Sequence, residues 1–292
     1  MWVRRHEPEI FGKIAKVRLP KDYLRLRLTG AYASDMSDAA GTLWLDVARR
    51  QWSEPMLAAC GLGVEHMPEL FEGSQSTGRL RPELASRWNL GELPVAGGGG
   101  DNAAGAVGVG IVKAGQSMLS LGTSGVYFAV SEGFVACPES AVHSFCHALP
   151  DTWHLMSVML SAASCLDFSA RLSGYSDVAA LLAAAEAAGP VQADSPWFLP
   201  YLNGERTPHN AAHARGAFVA LSAPTARADI ANATPDAAGL GLLAGALARA
   251  PAGLRSVAPP VLGGASRSPF CLPLPPAPRW RARPPRPGAD PA

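Results

Sequence analysis

One carboxylate in the sequence follows four consecutive glycines. It is Asp101, in the stretch "PVAGGGGDNAAGAVGVG" at residues 94–110. Linker glycines usually lie among polar residues, but these lie between an apolar, strand-like end and a small-residue, helix-like segment. Because glycine lets a ligand approach the backbone closely, a turn beside a bound ligand is favoured over a flexible linker. Asp101 could also cap the following helix, and that role is compatible with catalysis.

A second polar turn lies in "LSLGTSGV" at residues 119–126. Successive backbone N–H groups in such a turn can form a concave anion site, to which the hydroxyl groups add donors. An ordinary hairpin turn is the alternative. Position 126 is Val, so the segment does not match the GxSxG elbow of serine hydrolases. The candidate residues of this turn are Gly122, Thr123, Ser124 and Gly125.

A third glycine turn follows an apolar pair in "VLGGASRSP" at residues 261–269. Its Gly263 and Gly264 could let a flat ring lie against the backbone, although a plain turn is favoured for this segment taken alone. The chain contains neither GxGxxG nor GxxxxGK[ST], which disfavours a dinucleotide-binding fold and a P-loop enzyme.

Other polar residues in the sequence have simpler interpretations. Glu205 and Arg206 beside His209 in "YLNGERTPHN" indicate a local ion pair in a solvated loop. No CxxC pair occurs, so a zinc site has little support from the sequence. Three further histidines lie on apolar segments and are interpreted as core residues rather than metal ligands: His143, His147 and His154.

The composition limits the number of domains, the kinds of partner and the cellular location that we expect. The 292 residues are 48% hydrophobic and 17% charged, enough for one large or two ordinary domains. Twenty-five basic against 24 acidic side chains give no electrostatic footprint for nucleic acid or an anionic membrane. No apolar stretch is long enough for a membrane span, and the charged N-terminus lacks a signal-peptide core. An odd number of scattered cysteines, five, predicts a reducing, cytoplasmic location.

Local patterns predict the elements around these turns. Helices are expected in "PKDYLRLRLTG" ending at Gly30, over Glu54–Cys60 and near Pro82–Trp88. Hairpin-like strand pairs are expected in "SMLSLGTSGVYFAV" and around Pro150–Asp151. Two more helices should end at glycine, in "SAASCLDFSARLSG" and "DVAALLAAAEAAG", and a strand in "WFLPYLNGERTPHN" should run into a polar loop. A later helix is expected to begin with Thr225 as its N-cap and to be interrupted at Pro235.

Four segments together resemble the FGGY carbohydrate kinases: "GGGGDNAAGAVGVG", "LSLGTSGV", "PYLNGERTPHN" and "LGGASRS". Within that family, "SDAAGTLWLDVARRQWS" and "HSFCHALPDTWHLMSVMLSAAS" look most like the kinases that phosphorylate D-xylulose. The resemblance implies an α/β architecture: the two-domain, actin-like and ribonuclease-H-like ATPase fold, with both domains incomplete in this chain. It covers roughly residues 1–230 and again 261–268.

The resemblance also implies roles for the residues singled out above. Asp101 matches the acid that accepts the proton of the sugar hydroxyl, with Gly100 and Asn102 beside the sugar. Gly122, Thr123, Ser124 and Gly125 match the turn that contacts the nucleotide phosphates, and Gly263 and Gly264 the turn beside the adenosine. The implied partners are a small-molecule sugar, D-xylulose, and ATP with Mg²⁺, without nucleic acid or membrane. The resemblance leaves a homodimer open.

The sequence also departs from the family pattern. We expect residues 1–110 to form the C-terminal part of the first, sugar-binding domain and 111–268 an incomplete second, nucleotide-binding domain. Residues 269–292 are rich in Pro and Arg, which predicts a disordered tail, and a shifted reading frame would explain their composition.

The expected function is ATP-dependent phosphorylation of D-xylulose to xylulose 5-phosphate. The alternatives are an inactive kinase fragment and a related kinase acting on another pentulose or polyol.

Overall fold

The computed structural model describes residues 1–189, 195–248 and 261–262. The chain separates into two compact units. The first contains residues 1–112, 130–134 and 144–154, and the second contains residues 113–129, 135–143 and those from 155 onward. The expected tail at 269–292 lies outside the described residues.

The first unit consists of short elements. Its helices are α1 (Trp2–His6), α2 (Pro8–Phe11), α3 (Pro20–Thr29), α4 (Met36–Ala39), α5 (Glu54–Cys60), α6 (Pro82–Arg87) and α7 (Asp101–Gly108), with short 3₁₀ turns at Ala40–Thr42 and Val64–His66. Its strands are β1 (Ala33–Asp35), β2 (Leu45–Asp46), β3 (Gln51–Trp52), β4 (Glu69–Phe71), β5 (Ser76–Arg79) and β6 (Pro94–Ala96). β1 pairs in parallel with β4, whereas β2 pairs with β3 and β5 with β6 in antiparallel fashion.

Helix α3 shows why the local predictions hold in this unit. Pro20 occupies its first turn, where the missing N–H is not needed. Gly30 ends the helix in the left-handed conformation, with φ of 83°. Helix α5 likewise ends at Gly61, with φ of 78°. The expected helices over 20–29, 54–60 and 82–87 are therefore confirmed.

A five-stranded sheet is formed by strands between residues 117 and 159 together with a short strand near 261. These strands are β7 (Ser117–Leu121), β8 (Gly125–Ser131), β9 (His143–Cys146), β10 (Trp153–Met159) and β13 (Val261–Leu262), in the order β13-β7-β8-β10-β9. β7 is antiparallel to β8 and parallel to β13. Both expected strand pairs are confirmed. A short 3₁₀ turn lies at Pro138–Ser140, and the small strands β11 (Trp197–Leu199) and β12 (Ala217–Val219) pair antiparallel.

Three longer helices cover the second unit: α8 (Ala163–Leu172), α9 (Val178–Ala188) and α10 (Arg227–Leu247). α10 packs against α8 and α9. Apolar side chains of the sheet and of α10 form one buried cluster that includes Leu119, Tyr127, Met159, Leu242 and Val261. The Gly-Thr-Ser-Gly turn joins two strands of this cluster, so its ends are fixed by a packed core.

The prediction that Pro235 interrupts the last helix is wrong. α10 runs continuously from Arg227 to Leu247 with Pro235 buried inside it. Proline within a helix costs roughly 3 kcal/mol, but burial of the surrounding face of α10 offsets that cost. Thr234 adds a hydrogen bond to Ser169 of α8 at 2.7 Å between hydroxyl oxygens. Tertiary packing has overridden the local preference.

The start of α10 also differs from the prediction. Ala226 is the N-cap, and its backbone N–H donates to the Asp229 carboxylate at 2.7 Å. The Thr225 hydroxyl instead accepts a hydrogen bond of 2.9 Å from the backbone N–H of Ser222. The acid three residues into the helix therefore supplies the capping interaction that was expected of Thr225.

Candidate active site

The four-glycine run is held by close packing within the first unit. Gly98 has φ of 77°, which favours glycine. A Cβ on Gly97 would lie 2.5 Å from the Glu72 carbonyl oxygen, and one on Gly99 would lie 3.1 Å from Ala148 Cβ. Packing of the chain against itself explains Gly97 and Gly99, and the positive φ explains Gly98, without invoking clearance for a ligand.

Asp101 is the first residue of α7, and Gly100 is the N-cap. The expectation that Asp101 itself caps the helix is therefore wrong by one position. Its side chain is exposed, and Oδ1 accepts hydrogen bonds from Asn102, at 2.7 Å from the backbone nitrogen and 3.0 Å from Nδ2. A negative charge at a helix N-terminus is favourable. The structure thus brings Gly100, Asp101 and Asn102 together, with the carboxylate accessible to a ligand.

The Ser37 side chain holds the residue before Asp101 in place. Ser37 Oγ accepts a hydrogen bond from the backbone N–H of Gly100 at 2.9 Å and donates to Asp35 Oδ1 at 2.6 Å. The same Asp35 oxygen accepts from the backbone N–H groups of Ser37 and Asp38, at 3.1 and 3.2 Å, and caps α4. The start of α7 is thereby connected to the start of α4 through two side chains.

A lysine beside this connection offsets the negative charge of three carboxylates. The Lys21 ammonium contacts Asp35 in a short ion pair and lies 3.5 Å from Asp38 and 3.7 Å from Asp22. Asp35 and Asp22 are almost fully buried, at 0% and 1% exposed. Buried carboxylates require such a partner. Burial raises the pKa of Asp38, and the Lys21 charge partly offsets this effect.

Arg25 holds the other end of the glycine run. Its guanidinium is buried and donates to the Gly97 carbonyl oxygen, to the Ala33 carbonyl oxygen at 2.7 Å and to Asp22 at 2.9 Å. The turn is therefore held by its first carbonyl group, at Gly97, and by its last N–H group, at Gly100.

Sequence reasoning did not identify these supporting residues. A signal was present, because Asp35 followed by Ser37 and Asp38 is a helix N-cap pattern. Nothing in the sequence indicated that Ser37 in this cap accepts a hydrogen bond from Gly100, which lies 63 residues later.

The Gly-Thr-Ser-Gly turn lies in the second unit between β7 and β8. The Gly122 N–H donates to the Ser124 carbonyl oxygen at 3.0 Å and closes the turn. Gly122 and Thr123 are exposed, whereas Gly125 is buried. A Cβ on Gly125 would lie 2.6 Å from Leu242 Cδ2 and 3.2 Å from Ala162 Cβ. Gly125 is thus required for packing, whereas a Cβ on Gly122 would meet only the Ser124 carbonyl oxygen, at 3.8 Å.

The beginning of α8 holds the carbonyl side of this turn. The Ala162 and Ser164 N–H groups donate to the Thr123 carbonyl oxygen at 2.9 and 3.3 Å, and the Ala163 N–H donates to the Gly122 carbonyl oxygen at 3.1 Å. The Ser164 hydroxyl adds a hydrogen bond to the Thr123 carbonyl at 3.0 Å.

The opposite side of the same two peptide groups carries N–H donors. In a trans peptide the C=O and N–H bonds point in opposite directions. Because the Gly122 and Thr123 carbonyls point toward α8, the N–H groups of Thr123 and Ser124 point away from it. Two adjacent N–H groups with a common direction and two nearby hydroxyl groups can bind an anion.

The remaining candidate residues have mixed outcomes. Gly263 and Gly264 lie outside the described residues. His147 and His154 are buried, at 0% and 1% exposed, and burial lowers the pKa of each, which confirms the interpretation as core histidines. His143 is half-buried, with its Nε2 3.0 Å from Arg206 Nη1, and burial and the Arg206 charge lower its pKa.

The expectation of a solvated ion pair at Glu205 is wrong. Glu205 is 3% exposed, and its Oε1 accepts hydrogen bonds from the backbone N–H groups of Leu160 and Arg206. Burial raises the pKa of this carboxyl, and the two backbone donors oppose that effect.

Neither a metal-binding cluster nor a membrane-spanning helix occurs among the described residues. Residues 1–189, 195–248 and 261–262 contain no cluster of three or more His, Cys, Asp or Glu side chains arranged to hold a metal ion. Within the same ranges, no helix combines the length and apolar character needed to cross a bilayer.

Comparison with known proteins relates both turns to one family. A model of the N-terminal domain of the FGGY family of carbohydrate kinases matches residues 1–108, and a model of the C-terminal domain of the same family matches residues 117–274. The chain belongs to the FGGY family of carbohydrate kinases.

Proteins of similar sequence include sugar kinases. The chain is 60% identical over 270 residues to the xylulose kinase of Escherichia coli (strain K12), covering 92% of this chain and 56% of that protein. It is 63% identical over 249 residues to the xylulose kinase of Klebsiella pneumoniae, covering 84% of this chain and 50% of that protein. The chain therefore spans about half the length of these relatives.

Solved structures share the two-domain ATPase fold. A structure described as a xyloylose kinase from Brucella ovis superposes with a TM-score of 0.87 at 48% identity, covering 93% of this chain and 56% of that chain. A xylulose kinase from Rhodospirillum rubrum gives a TM-score of 0.81 at 28% identity, covering 92% and 55%.

Proposed function

We propose that this chain carries the catalytic part of an ATP-dependent kinase that phosphorylates D-xylulose to xylulose 5-phosphate. The observation that carries the proposal is the 60% identity to a xylulose kinase over 92% of the chain. That match includes an accessible carboxylate, Asp101, at the start of α7.

Asp101 is proposed as the general base. Phosphoryl transfer depends mainly on positioning and charge stabilisation, with one carboxylate to accept the proton of the attacking hydroxyl. Asp101 suits this role because it is exposed while the turn before it is held by Ser37 and Arg25. Gly100 and Asn102 are proposed to contact the sugar beside it.

The Gly-Thr-Ser-Gly turn is proposed to bind the ATP phosphates. Its support is the common direction of the Thr123 and Ser124 N–H groups, which follows from the hydrogen bonds of the preceding carbonyls to α8. Ser124 and Thr123 hydroxyl groups supply further donors, and Gly122 leaves room for the phosphate. Gly263 and Gly264 are proposed to lie beside the adenosine.

Mg²⁺ is proposed to arrive with ATP. In kinase sites this ion is held largely by the substrate phosphates and water, with one or two carboxylates. When bound, Mg²⁺ neutralises charge on the phosphates, and the residues of this chain position the sugar and accept its proton.

A cytoplasmic location is proposed on the state of the thiols. The four cysteines that the structure describes, Cys60, Cys137, Cys146 and Cys165, are all free. Free thiols are typical of a reducing compartment.

The test is a coupled assay of ADP release by the purified 292-residue chain with D-xylulose, ATP and Mg²⁺. Sugar-dependent release above a no-sugar control supports the proposal, and a panel of other pentuloses and polyols tests the substrate. A second candidate is nucleotide binding without turnover, for which the N–H groups of the Gly-Thr-Ser-Gly turn would suffice. Calorimetric binding of ADP without sugar-dependent ADP release would select that candidate.

A further inference from the structure

Glu205 is a buried carboxylate for which the proposed mechanism has no use. It is 3% exposed, and its Oε1 accepts hydrogen bonds of 3.0 Å from the Leu160 N–H and 2.8 Å from the Arg206 N–H. Burying a carboxylate is costly unless its hydrogen bonds compensate. Its position beside Leu160 indicates what those bonds achieve.

The backbone around Glu205 is fixed independently of its side chain. Glu205 and Ala211 exchange two backbone hydrogen bonds, at 3.0 and 2.8 Å. Gly204 has φ of 79°, and a Cβ there would lie 2.6 Å from the Ala212 carbonyl oxygen. Thr207 N–H donates to the Val158 carbonyl oxygen of β10 at 3.2 Å. The carboxylate therefore projects from a rigid segment toward the end of β10.

The segment that Glu205 holds is the one that holds the Gly-Thr-Ser-Gly turn. Leu160 directly follows β10, and residues 162–164 donate four hydrogen bonds to the Gly122 and Thr123 carbonyls. Asn203, two residues before Glu205, also reaches this segment and lies 3.4 Å from the Ser161 hydroxyl. Displacement of residues 160–164 would move the carbonyls of the turn, and the N–H groups of the same peptides with them.

We infer that Glu205 is a positioning residue for the phosphate-binding turn and acts through residues 160–164. The inference rests on the proposed nucleotide role of Gly122–Gly125. It assigns a function to the Glu205 carboxylate, which does not itself need to touch ATP.

The test measures ADP affinity by calorimetry and amide hydrogen exchange on the full chain. Glu205→Ala should weaken ADP binding about tenfold, since it leaves two partly buried N–H groups without their acceptor. Exchange should accelerate at the N–H groups of residues 160–164. Glu205→Gln keeps an acceptor oxygen and should stay within about threefold of the wild-type affinity. Glu205→Asp withdraws the carboxylate by one methylene group and should lie between the two.

Thr207→Val is the matched control. Thr207 is also buried, at 2% exposed, and its hydroxyl bonds to Ala141 and Val158 but not to residues 160–164. It should lower the melting temperature without weakening ADP binding. An equal loss of ADP affinity in Thr207→Val and Glu205→Ala would overturn the inference, since both would then act through stability alone.

The experiment separates this inference from the proposed function. If the wild-type chain binds no ADP, the proposed nucleotide role fails, and hydrogen exchange alone decides whether Glu205 holds residues 160–164. Unchanged exchange at Ala162 and Ala163 in the substituted chains would overturn the inference. If Glu205→Ala does not fold, Glu205→Asp gives the same comparison, and an affinity for ADP equal to that of wild type would overturn it.

Discussion

The Ser37 hydroxyl accepts a hydrogen bond of 2.9 Å from the Gly100 N–H, one residue before Asp101. The same hydroxyl donates to Asp35, a fully buried carboxylate. Removing it by Ser37→Ala should free the start of α7 and lower kcat about tenfold, because a misplaced base loses part of its catalytic effect. The KM for ATP should not change. Steady-state kinetics with each substrate varied in turn would measure this split.

Ser86→Ala is a suitable control for that substitution. Ser86 is exposed on α6 of the same unit, so its loss should leave kcat unchanged. A Ser37→Ala enzyme with normal kcat would show that the connection to Gly100 does not position Asp101.

Asp101→Asn should abolish most turnover while nucleotide binding remains. A general base typically contributes about 10²–10⁴-fold to the rate, and the amide cannot accept the proton. ADP affinity by calorimetry and ADP release in the coupled assay would be compared. Glu92→Gln, at an exposed residue of the first unit, should behave as wild type. Retention of more than about a tenth of wild-type turnover in Asp101→Asn would refute the role of Asp101.

Gly125→Ala and Gly122→Ala should differ in stability although they lie in one turn. At Gly125 the new methyl group would lie 2.6 Å from Leu242, and overpacking typically costs about 1–3 kcal/mol. At Gly122 the nearest atom is 3.8 Å away, so the change in the free energy of unfolding should stay within about 0.5 kcal/mol. Urea unfolding of both variants measures this. The double variant Gly125→Ala/Leu242→Ala should show less than additive loss.

The buried thiols should be unreactive in the native protein. Burial raises the pKa of Cys146 to about 11 and that of Cys165 to about 12. At pH 8 roughly one Cys146 side chain in a thousand is therefore a thiolate, the nucleophilic form. In a Cys271→Ser background, a disulfide reagent should label the half-buried Cys60 first and the buried thiols only after unfolding. Rapid labelling of more than one thiol without denaturant would contradict this expectation.

Asp236→Asn should stabilise the second unit near neutral pH. Burial raises the pKa of Asp236 above its unfolded value, so the folded state binds the proton more tightly than the unfolded state does. The contribution of Asp236 to the free energy of unfolding therefore falls as the pH rises from the pKa of Asp236 in the unfolded state to its higher pKa in the folded state. The gain in urea midpoint from Asp236→Asn should be present at pH 7 and shrink toward about pH 4, the unfolded value for Asp. Asp167→Asn removes the same charge at an exposed residue of α8 and controls for the change in net charge.

Sequence patterns predicted the local elements where the chain carries its own signals. Gly30 and Gly61 mark helix ends, and the Gly-Thr-Ser-Gly turn marks a hairpin, because these signals act within a few residues. The prediction failed at Pro235, because packing of α10 against α8 and α9 outweighs the local cost of a proline.

Supporting interactions of the site could not be predicted in the same way. Asp101 was identified because its glycine neighbours are visible in sequence. Ser37 and Glu205 were not, since their partners, Gly100 and Leu160, are 63 and 45 residues away. Glu205 was placed in solvent because a lone acid beside an arginine has no sequence signal for burial.

The contact between α8 and the Gly-Thr-Ser-Gly turn has an electrostatic consequence. A helix N-terminus carries roughly half a positive charge on its first N–H groups. At the start of α8, the N–H groups of its N-cap Ala162 and of Ala163 and Ser164 are hydrogen-bonded to the Gly122 and Thr123 carbonyls. Hydrogen bonds in series polarise one another. The two turn peptides therefore lengthen the helix dipole, and its positive pole is displaced outward onto the N–H groups of Thr123 and Ser124.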